Sequence, residues 1–313
     1  AGGACTKRIK RAAVHQALND WWSASTNADS PAAVIGWEGV GKTWATINWL
    51  IEKIDEQPIV LVVPSSSAVA LSGISETKVK QFLAVRLYEL SGVRNTEHWL
   101  RRLDYLLKRP THEKPVLTIF FDGLNQEPSV QWLPLLKILQ GESFSTKVRV
   151  IISTRKHHFE NKLSSLRGLN SAAIPIEVDS YDTVPDGELD QMLAFEGLTQ
   201  TDLHPDLIEL ARTPRLFALV VRFRDRLIEA GQVTVHRLLW EYGRDTLGVR
   251  AGKSFSENEW QTWLKAIAQK YRDGIKEHYT VKSLGESVSR PDLNESENYA
   301  RLSDIIDGRF AES

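Results

Sequence analysis

The stretch Gly36-Trp37-Glu38-Gly39-Val40-Gly41-Lys42-Thr43 decides the fold of this chain, because it has the pattern G-x-x-x-x-G-K-[ST]. It follows the apolar run at residues 32–35 and precedes apolar residues at helical spacing that continue to Ile51. A strand, a glycine-rich loop and a helix in this order form a phosphate-binding loop. In such a loop the backbone N–H groups and the positive end of the helix dipole surround an anion. We therefore expect residues 36–43 to bind a nucleoside triphosphate.

Four side chains in or beside this loop have expected roles of their own. The Lys42 ammonium is expected to reach the β- and γ-phosphates, and the Thr43 hydroxyl is expected to bind Mg²⁺. Trp37 and Trp44 are candidates for contact with the ribose or the base, with packing in the core as the alternative. For Trp44 we expect packing beneath the sheet.

Length and composition narrow the classes of protein that this chain can belong to. It has 313 residues, of which 42% are hydrophobic, so it can form two or three domains with sizeable cores. The formal net charge of −1 gives no overall field that would attract nucleic acid or an anionic membrane. The sequence has neither a signal peptide nor an apolar run that could span a membrane, so we expect no membrane association. A single cysteine suits a reducing cytoplasm, and a start without Met suggests a piece of a longer protein.

Apolar runs separated by helical patterns predict an α/β fold, a P-loop NTPase sheet, in the first part of the chain. Five such runs lack the polar alternation of a half-exposed sheet, and they lie at residues 32–35, 58–64, 115–121, 148–153 and 173–178. We predict a parallel sheet flanked by helices, with ligands beyond the carboxyl ends of its strands.

The rest of the chain has helical patterns without strands. Thr213 and Pro214 mark a helix start, with the hydroxyl at the N-cap and the proline at the first helical position. We predict a P-loop domain with a lead-in helix at residues 1–182, an all-helical domain at 183–250 and a third part at 251–313.

Functional side chains are expected where the predicted strands end. Asp122 follows the third apolar run, where a carboxylate orients Mg²⁺ and its waters in phosphate-loop proteins. Thr43 and Asp122 are therefore the predicted metal ligands. Arg155 follows the fourth run, from which its guanidinium can reach a γ-phosphate and distinguish ATP from ADP. Lys42, Asp122 and Arg155 are the residues that we expect to act on the phosphates.

These motifs together resemble the signal-transduction ATPases with numerous domains (STAND), which include the NACHT and NB-ARC proteins. The resemblance is carried by the phosphate loop, Asp122-Gly123-Leu124, Ser153-Thr154-Arg155 and Thr213-Pro214. It implies that residues 251–313 are a winged-helix-like domain. It also implies that Pro214 packs against adenine, although Arg212 stands where the family usually has glycine. The implied function is a switch in which ATP favours an open arrangement and ADP a closed one.

The same resemblance implies partners for the chain. STAND proteins join such a core to an effector domain and a sensor domain in one longer chain, and we expect both here. An unidentified protein trigger would activate the receptor, which would then form a homo-oligomer. Within the STAND class, the chain would resemble the bacterial antiviral receptors.

One departure from the NACHT pattern concerns hydrolysis. Asn125 and Gln126 stand where that pattern has a second acidic pair, and Glu127 comes one residue late. An amide cannot take a proton from the attacking water, so Glu127 is the remaining candidate for a catalytic base. We expect slow ATP hydrolysis, which a switch tolerates because it works by a difference in affinity between two states.

The charge of residues 251–313 leads us to expect no direct nucleic-acid binding. This segment has nine Lys and Arg against eleven Asp and Glu, a net charge of −2. Binding to a duplex depends on cations that neutralise phosphates.

Three other functions stay open at this point. An AAA+-like motor that acts on protein or nucleic acid needs an acidic base and would hydrolyse about one ATP per second or more. A small-molecule kinase needs an Arg-rich lid, for which the sequence has no pattern. A nucleotide-stabilised scaffold would be stabilised equally by ATP and ADP.

Overall fold

The computed structural model describes residues 9–24, 29–56, 59–71, 74–109, 115–161, 166, 169, 171–231, 233–250, 258, 260–262 and 265. The chain divides into two compact units, one comprising residues 8–188 and the other residues 1–7 with 189–313. The predicted winged-helix-like domain at 251–313 lies almost entirely outside the described residues, so it stays a prediction.

The first unit is built on a five-stranded sheet in which each strand pair is parallel. Its strands are β1 (Ala32–Gly36), β2 (Val60–Pro64), β3 (Leu117–Asp122), β4 (Val148–Arg155) and β5 (Ile174–Glu177). The order across the sheet is β2-β3-β4-β1-β5, which places β4 between β1 and β3. The predicted parallel α/β sheet is confirmed.

Helices precede the sheet and connect its successive strands. They are α1 (Ala12–Ser23), α2 (Lys42–Glu52), α3 (Ser65–Ala68), α4 (Glu76–Ser91), α5 (Thr96–Lys108), α6 (Trp132–Leu139) and α7 (Lys156–Asn161). The predicted lead-in helix is confirmed as α1.

The central strands are buried because their side chains enter two separate cores, one on each face of the sheet. Along β1, Ala33 and Ile35 pack into a core that includes residues of α4, α5 and α6. Ala32 and Val34 pack into the other core, together with residues of α1 and α2. Both faces therefore need apolar side chains, which explains why the apolar runs have no polar alternation.

The strand β2 is less buried than its apolar sequence predicted. Leu61 and Val63 are fully buried, whereas Val60 and Val62 are partly exposed. Because β2 lies at one edge of the sheet, one of its faces receives less cover than the faces of the central strands.

The strand register brings three carboxyl ends to one edge of the sheet. Gly36 at the end of β1 pairs with Arg155 on β4. Phe121 on β3 pairs with Ile152, so the next residue, Asp122, lies level with Ser153. The side chains predicted to act on phosphates thus follow neighbouring strands.

The second unit is helical in its described part. Its helices are α8 (Glu188–Phe195), which begins at the last residue of the first unit, α9 (Pro205–Ala211), α10 (Pro214–Glu229) and α11 (Val235–Arg250). The predicted helix start at Thr213 and Pro214 is confirmed, although the Thr213 hydroxyl makes no capping hydrogen bond. α10 has one buried face, made of Phe217, Val220, Phe223 and Leu227. None of the described helices is both long enough and apolar enough to cross a membrane.

Candidate functional site

The loop between β1 and α2 has a backbone that can surround an anion. Gly39 (φ 80°) and Gly41 (φ 86°) adopt the left-handed conformation, which residues with a Cβ rarely adopt. A Cβ at Gly36 would lie 2.3 Å from the backbone carbonyl oxygen of Val178, so the close approach of these two segments requires glycine. The glycines of the motif are therefore explained by the backbone that they permit.

The start of α2 lacks a side-chain cap, whereas α4 and α5 have one. Ser75 and Asn95 cap α4 and α5 by accepting hydrogen bonds from backbone N–H groups at 3.3 and 2.9 Å. At the N-cap of α2 stands Gly41, which has no side chain that could accept such a bond. Uncapped N–H groups together with the helix dipole favour an anionic ligand at this position.

The Lys42 ammonium donates hydrogen bonds to two carbonyl oxygens of its own loop. The distances are 3.2 Å to Gly36 O and 2.7 Å to Trp37 O. Burial and the nearby Arg155 guanidinium lower the pKa of Lys42 to about 8, while Asp122 and Glu38 oppose that shift. A partly desolvated cation beside a second cation is stabilised by an added anion. Lys42 is therefore suited to bind phosphate.

Thr43 and Asp122, the predicted metal ligands, are in direct contact. The Thr43 hydroxyl lies 2.8 and 2.9 Å from the two carboxylate oxygens of Asp122. Hydroxyl and carboxylate oxygens suit Mg²⁺, which commonly takes one or two carboxylates besides phosphate and water oxygens. The oxygen ligands present therefore fit Mg²⁺ held jointly with a bound phosphate.

Ser153, which sequence reasoning did not single out, supports the Asp122 carboxylate. Its hydroxyl donates a hydrogen bond to Asp122 and accepts one from the backbone N–H of Gly123 at 2.8 Å. Ser153 is buried on β4. Its place in the Ser153-Thr154-Arg155 run, directly after apolar residues, was the signal that could have identified it.

Arg155 lies at the end of β4 and contacts the loop. Its guanidinium forms an ion pair with the Glu38 carboxylate at 2.5 Å. Its backbone N–H donates to the side-chain oxygen of Asn125 at 3.3 Å. The structure thus brings Arg155 together with Lys42, although Arg155 is half-exposed.

Both tryptophans of the loop region are exposed, Trp37 at 69% and Trp44 at 40%. The prediction that Trp44 packs beneath the sheet is therefore wrong. The face of α2 that enters the core carries Ala45 and Trp49, and Trp44 lies outside that face. Contact of either exposed tryptophan with ribose or base stays a prediction.

The candidate base Glu127 is not joined to the phosphate-binding side chains by any described contact. It follows a short 3₁₀ turn (Leu124–Gln126), and its carbonyl oxygen accepts a hydrogen bond from Trp132 at 3.0 Å. The Gln126 side chain lies against Gly123, the residue after Asp122, because a Cβ at Gly123 would lie 2.9 Å from the Gln126 amide carbon. A base role for Glu127 stays a prediction.

Pro214 begins α10 in the second unit, and its packing against adenine stays a prediction. The phosphate-loop motif runs from Gly36, the last residue of β1, to Thr43, the second residue of α2.

Arg11 is a buried side chain that sequence reasoning missed. It is 4% exposed and donates to the loop carbonyl of Val40 at 2.9 Å and to Asp179 O, after β5, at 2.6 Å. It also donates to the Glu188 carboxylate at 2.7 Å. Arg11 therefore positions the phosphate loop from outside it. No local pattern marked it, because its partners are distant in sequence.

No family model matches this chain, and no curated protein matches it. Among solved structures, Aeropyrum pernix ORC1 in complex with DNA is 16% identical over 96% of this chain and 83% of that chain, with a TM-score of 0.47. Drosophila ORC bound to DNA is 15% identical over 95% and 77% of the two chains, with a TM-score of 0.43. AMPPCP-bound DnaA from Aquifex aeolicus is 12% identical over 96% and 91%, also at 0.43.

These similar structures are AAA+ P-loop ATPases. Likeness at these identities and scores concerns the fold and assigns neither ligand nor activity. It does not confirm the STAND class.

The exclusion of direct nucleic-acid binding was wrong as it was reasoned. Two of the similar structures, from Drosophila and Aeropyrum pernix, are complexes with DNA. Phosphate contacts depend on where individual cations lie and not on the total charge of a segment. The net charge of residues 251–313 is therefore no ground for exclusion.

Replacing Arg11 by Met should destabilise the chain and change its pH dependence. The change leaves the Glu188 carboxylate without its cation, which costs about 3–5 kcal/mol for a buried pair. Burial already raises the pKa of Glu188, and loss of Arg11 raises it further. A carboxyl whose pKa is higher in the folded chain than in the unfolded chain stabilises the folded state while it is protonated at low pH. This stabilisation is lost as pH rises. Urea unfolding should therefore show a larger loss at about pH 7 than at about pH 5.

The matched control is Lys53→Met, whose ion pair with Glu56 is more exposed and should contribute less than about 1 kcal/mol. Equal effects of the two substitutions, or a loss from Arg11→Met that is the same at both pH values, would contradict the assigned role.

Proposed function

We propose that this chain binds ATP or ADP on the loop at residues 36–43, together with Mg²⁺, and hydrolyses ATP. The observation that supports this most strongly is the convergence of Lys42, Thr43, Asp122 and Arg155 at one edge of the sheet. These are two cations, a hydroxyl and a carboxylate, beside a loop whose backbone accommodates an anion.

Each of these side chains has a distinct task toward the nucleotide. Lys42 exchanges its two carbonyl partners for the β- and γ-phosphates. Thr43 and Asp122 hold Mg²⁺, which when bound neutralises charge on the phosphates. Arg155 releases Glu38 and binds the γ-phosphate. Ser153 keeps the Asp122 carboxylate in place for the metal.

Two uses of the bound nucleotide are proposed. The first is an AAA+-like ATPase that acts on protein or nucleic acid. The second is a STAND-type switch, supported by Gln126 and Asn125, whose amides cannot serve as a base. The switch proposal also includes effector and sensor domains in one longer chain, an unidentified protein trigger, a homo-oligomer on activation and a cytoplasmic location.

Lys42 makes the affinity for Mg²⁺-ATP depend on pH. With a pKa of about 8 in the free chain, Lys42 is protonated below that value, and phosphate raises the pKa further. Calorimetry should show constant affinity at low pH and a fall of about tenfold per unit as pH rises beyond 8. Lys42→Ala should lower affinity by about 100-fold or more. Lys53→Ala, at the other end of α2, should leave both affinity and pH profile unchanged.

Arg155→Ala should lower the preference for ATP over ADP by about tenfold, because a charged hydrogen bond to the γ-phosphate is lost. The measurement is the ratio of the two dissociation constants. Lys156→Ala is the control, since Lys156 is the next residue and pairs with Glu177 instead. An unchanged ratio in Arg155→Ala would show that the γ-phosphate is not bound by this guanidinium.

Steady-state hydrolysis distinguishes the two proposed uses. A switch predicts fewer than about one turnover per second. Gln126→Glu, which places a carboxylate against Gly123 in the segment that follows Asp122, should then raise kcat by about tenfold or more. A native rate above this level that Glu127→Gln abolishes would favour the motor and identify Glu127 as the base.

A further inference from the structure

One residue of the phosphate loop, Glu38, is negatively charged, whereas Lys42 and Arg155, which are expected to bind phosphate, are positively charged. Glu38 is the third residue of the motif, and its carboxylate pairs with the Arg155 guanidinium at 2.5 Å. Both side chains are half-exposed, at 50% and 51%. The pair connects the phosphate loop to the end of β4, next to the strand from which the loop begins.

Glu38 also acts on the other cation of the site. Its charge raises the pKa of Lys42, whereas the Arg155 charge lowers it. The carboxylate therefore lies within electrostatic reach of both cations that the triphosphate requires. A carboxylate and a phosphate compete for the same planar guanidinium group, because both bind it through two parallel hydrogen bonds.

We propose that Glu38 is a specificity-determining residue that competes with the γ-phosphate for Arg155. This role rests on the proposed function, since it presupposes a nucleotide on the loop. With ADP, Arg155 keeps its ion pair with Glu38. With ATP, Arg155 must give up its ion pair with Glu38 to bind the γ-phosphate. Glu38 therefore shifts the balance of the site toward ADP.

The ion pair between Glu38 and Arg155 contributes little to the stability of the fold, because both side chains are half-exposed. Loss of the Glu38 charge should therefore leave the fold intact.

The test compares Glu38→Gln and Glu38→Ala with the native chain by calorimetry, using Mg²⁺-ATP and Mg²⁺-ADP. Removal of the carboxylate that competes with the γ-phosphate for Arg155 should tighten ATP binding about three- to fivefold. ADP affinity should stay within about twofold, because ADP lacks the competing group. Thermal unfolding without nucleotide confirms that each variant is folded.

Glu177→Gln is the matched control. Glu177 is also half-exposed and pairs with Lys156, the residue after Arg155. Glu177→Gln removes one negative charge from β5, the strand beside β1, and leaves the Glu38–Arg155 ion pair intact. Both affinities should therefore stay as in the native chain.

A double variant tests whether the effect passes through Arg155. Combined with Arg155→Ala, Glu38→Gln should no longer change the ratio of ATP to ADP affinity. The role of Glu38 is contradicted if Glu38→Gln weakens ATP binding, tightens ATP and ADP equally, or leaves the ratio unchanged. Failure of the native chain to bind either nucleotide would instead contradict the proposed function itself, and the role of Glu38 with it.

Discussion

The candidate site depends on the placement of the Lys42 ammonium, a partly buried cation whose hydrogen bonds go to carbonyl oxygens of its own loop. The loop can turn these carbonyls toward Lys42 because Gly39 and Gly41 adopt left-handed backbone. The Arg155 guanidinium adds a second positive charge, which Glu38 and Asp122 partly balance. This arrangement favours replacement of the carbonyl partners of Lys42, and of the carboxylate partner of Arg155, by phosphate oxygens.

The parallel sheet supplies the geometry on which this cation depends. Because β4 lies between β1 and β3, side chains at the ends of all three strands meet without a long loop. Ser153 on β4 holds Asp122 on β3, and Asp122 in turn contacts Thr43 after β1. Buried Arg11, the residue before α1, donates a hydrogen bond to the loop carbonyl of Val40. The positions of the loop, of the proposed metal ligands and of Arg155 are thus set by contacts between elements distant in sequence.

The sequence predicts the parts of the site that arise from local chemistry. The glycine pattern, Lys42 and Thr43 follow from a contiguous motif, and Asp122 follows from a strand end, so each could be read without tertiary information. Arg11 could not, since its partners lie 29, 168 and 177 residues away. The exposure of Trp44 was mispredicted because hydrophobicity indicates burial, whereas the core-facing side of α2 is set by packing on the sheet.

A crystal structure of the chain with Mg²⁺ and a non-hydrolysable ATP analogue tests the central claim most directly. The expected result is a phosphate tail against the N-terminus of α2, with Lys42 Nζ moved from the Gly36 and Trp37 carbonyls onto phosphate oxygens. Mg²⁺ should lie between Thr43, Asp122 and the phosphates. A loop without phosphate at saturating analogue, with Lys42 still bound to its carbonyls, would contradict nucleotide binding at this site.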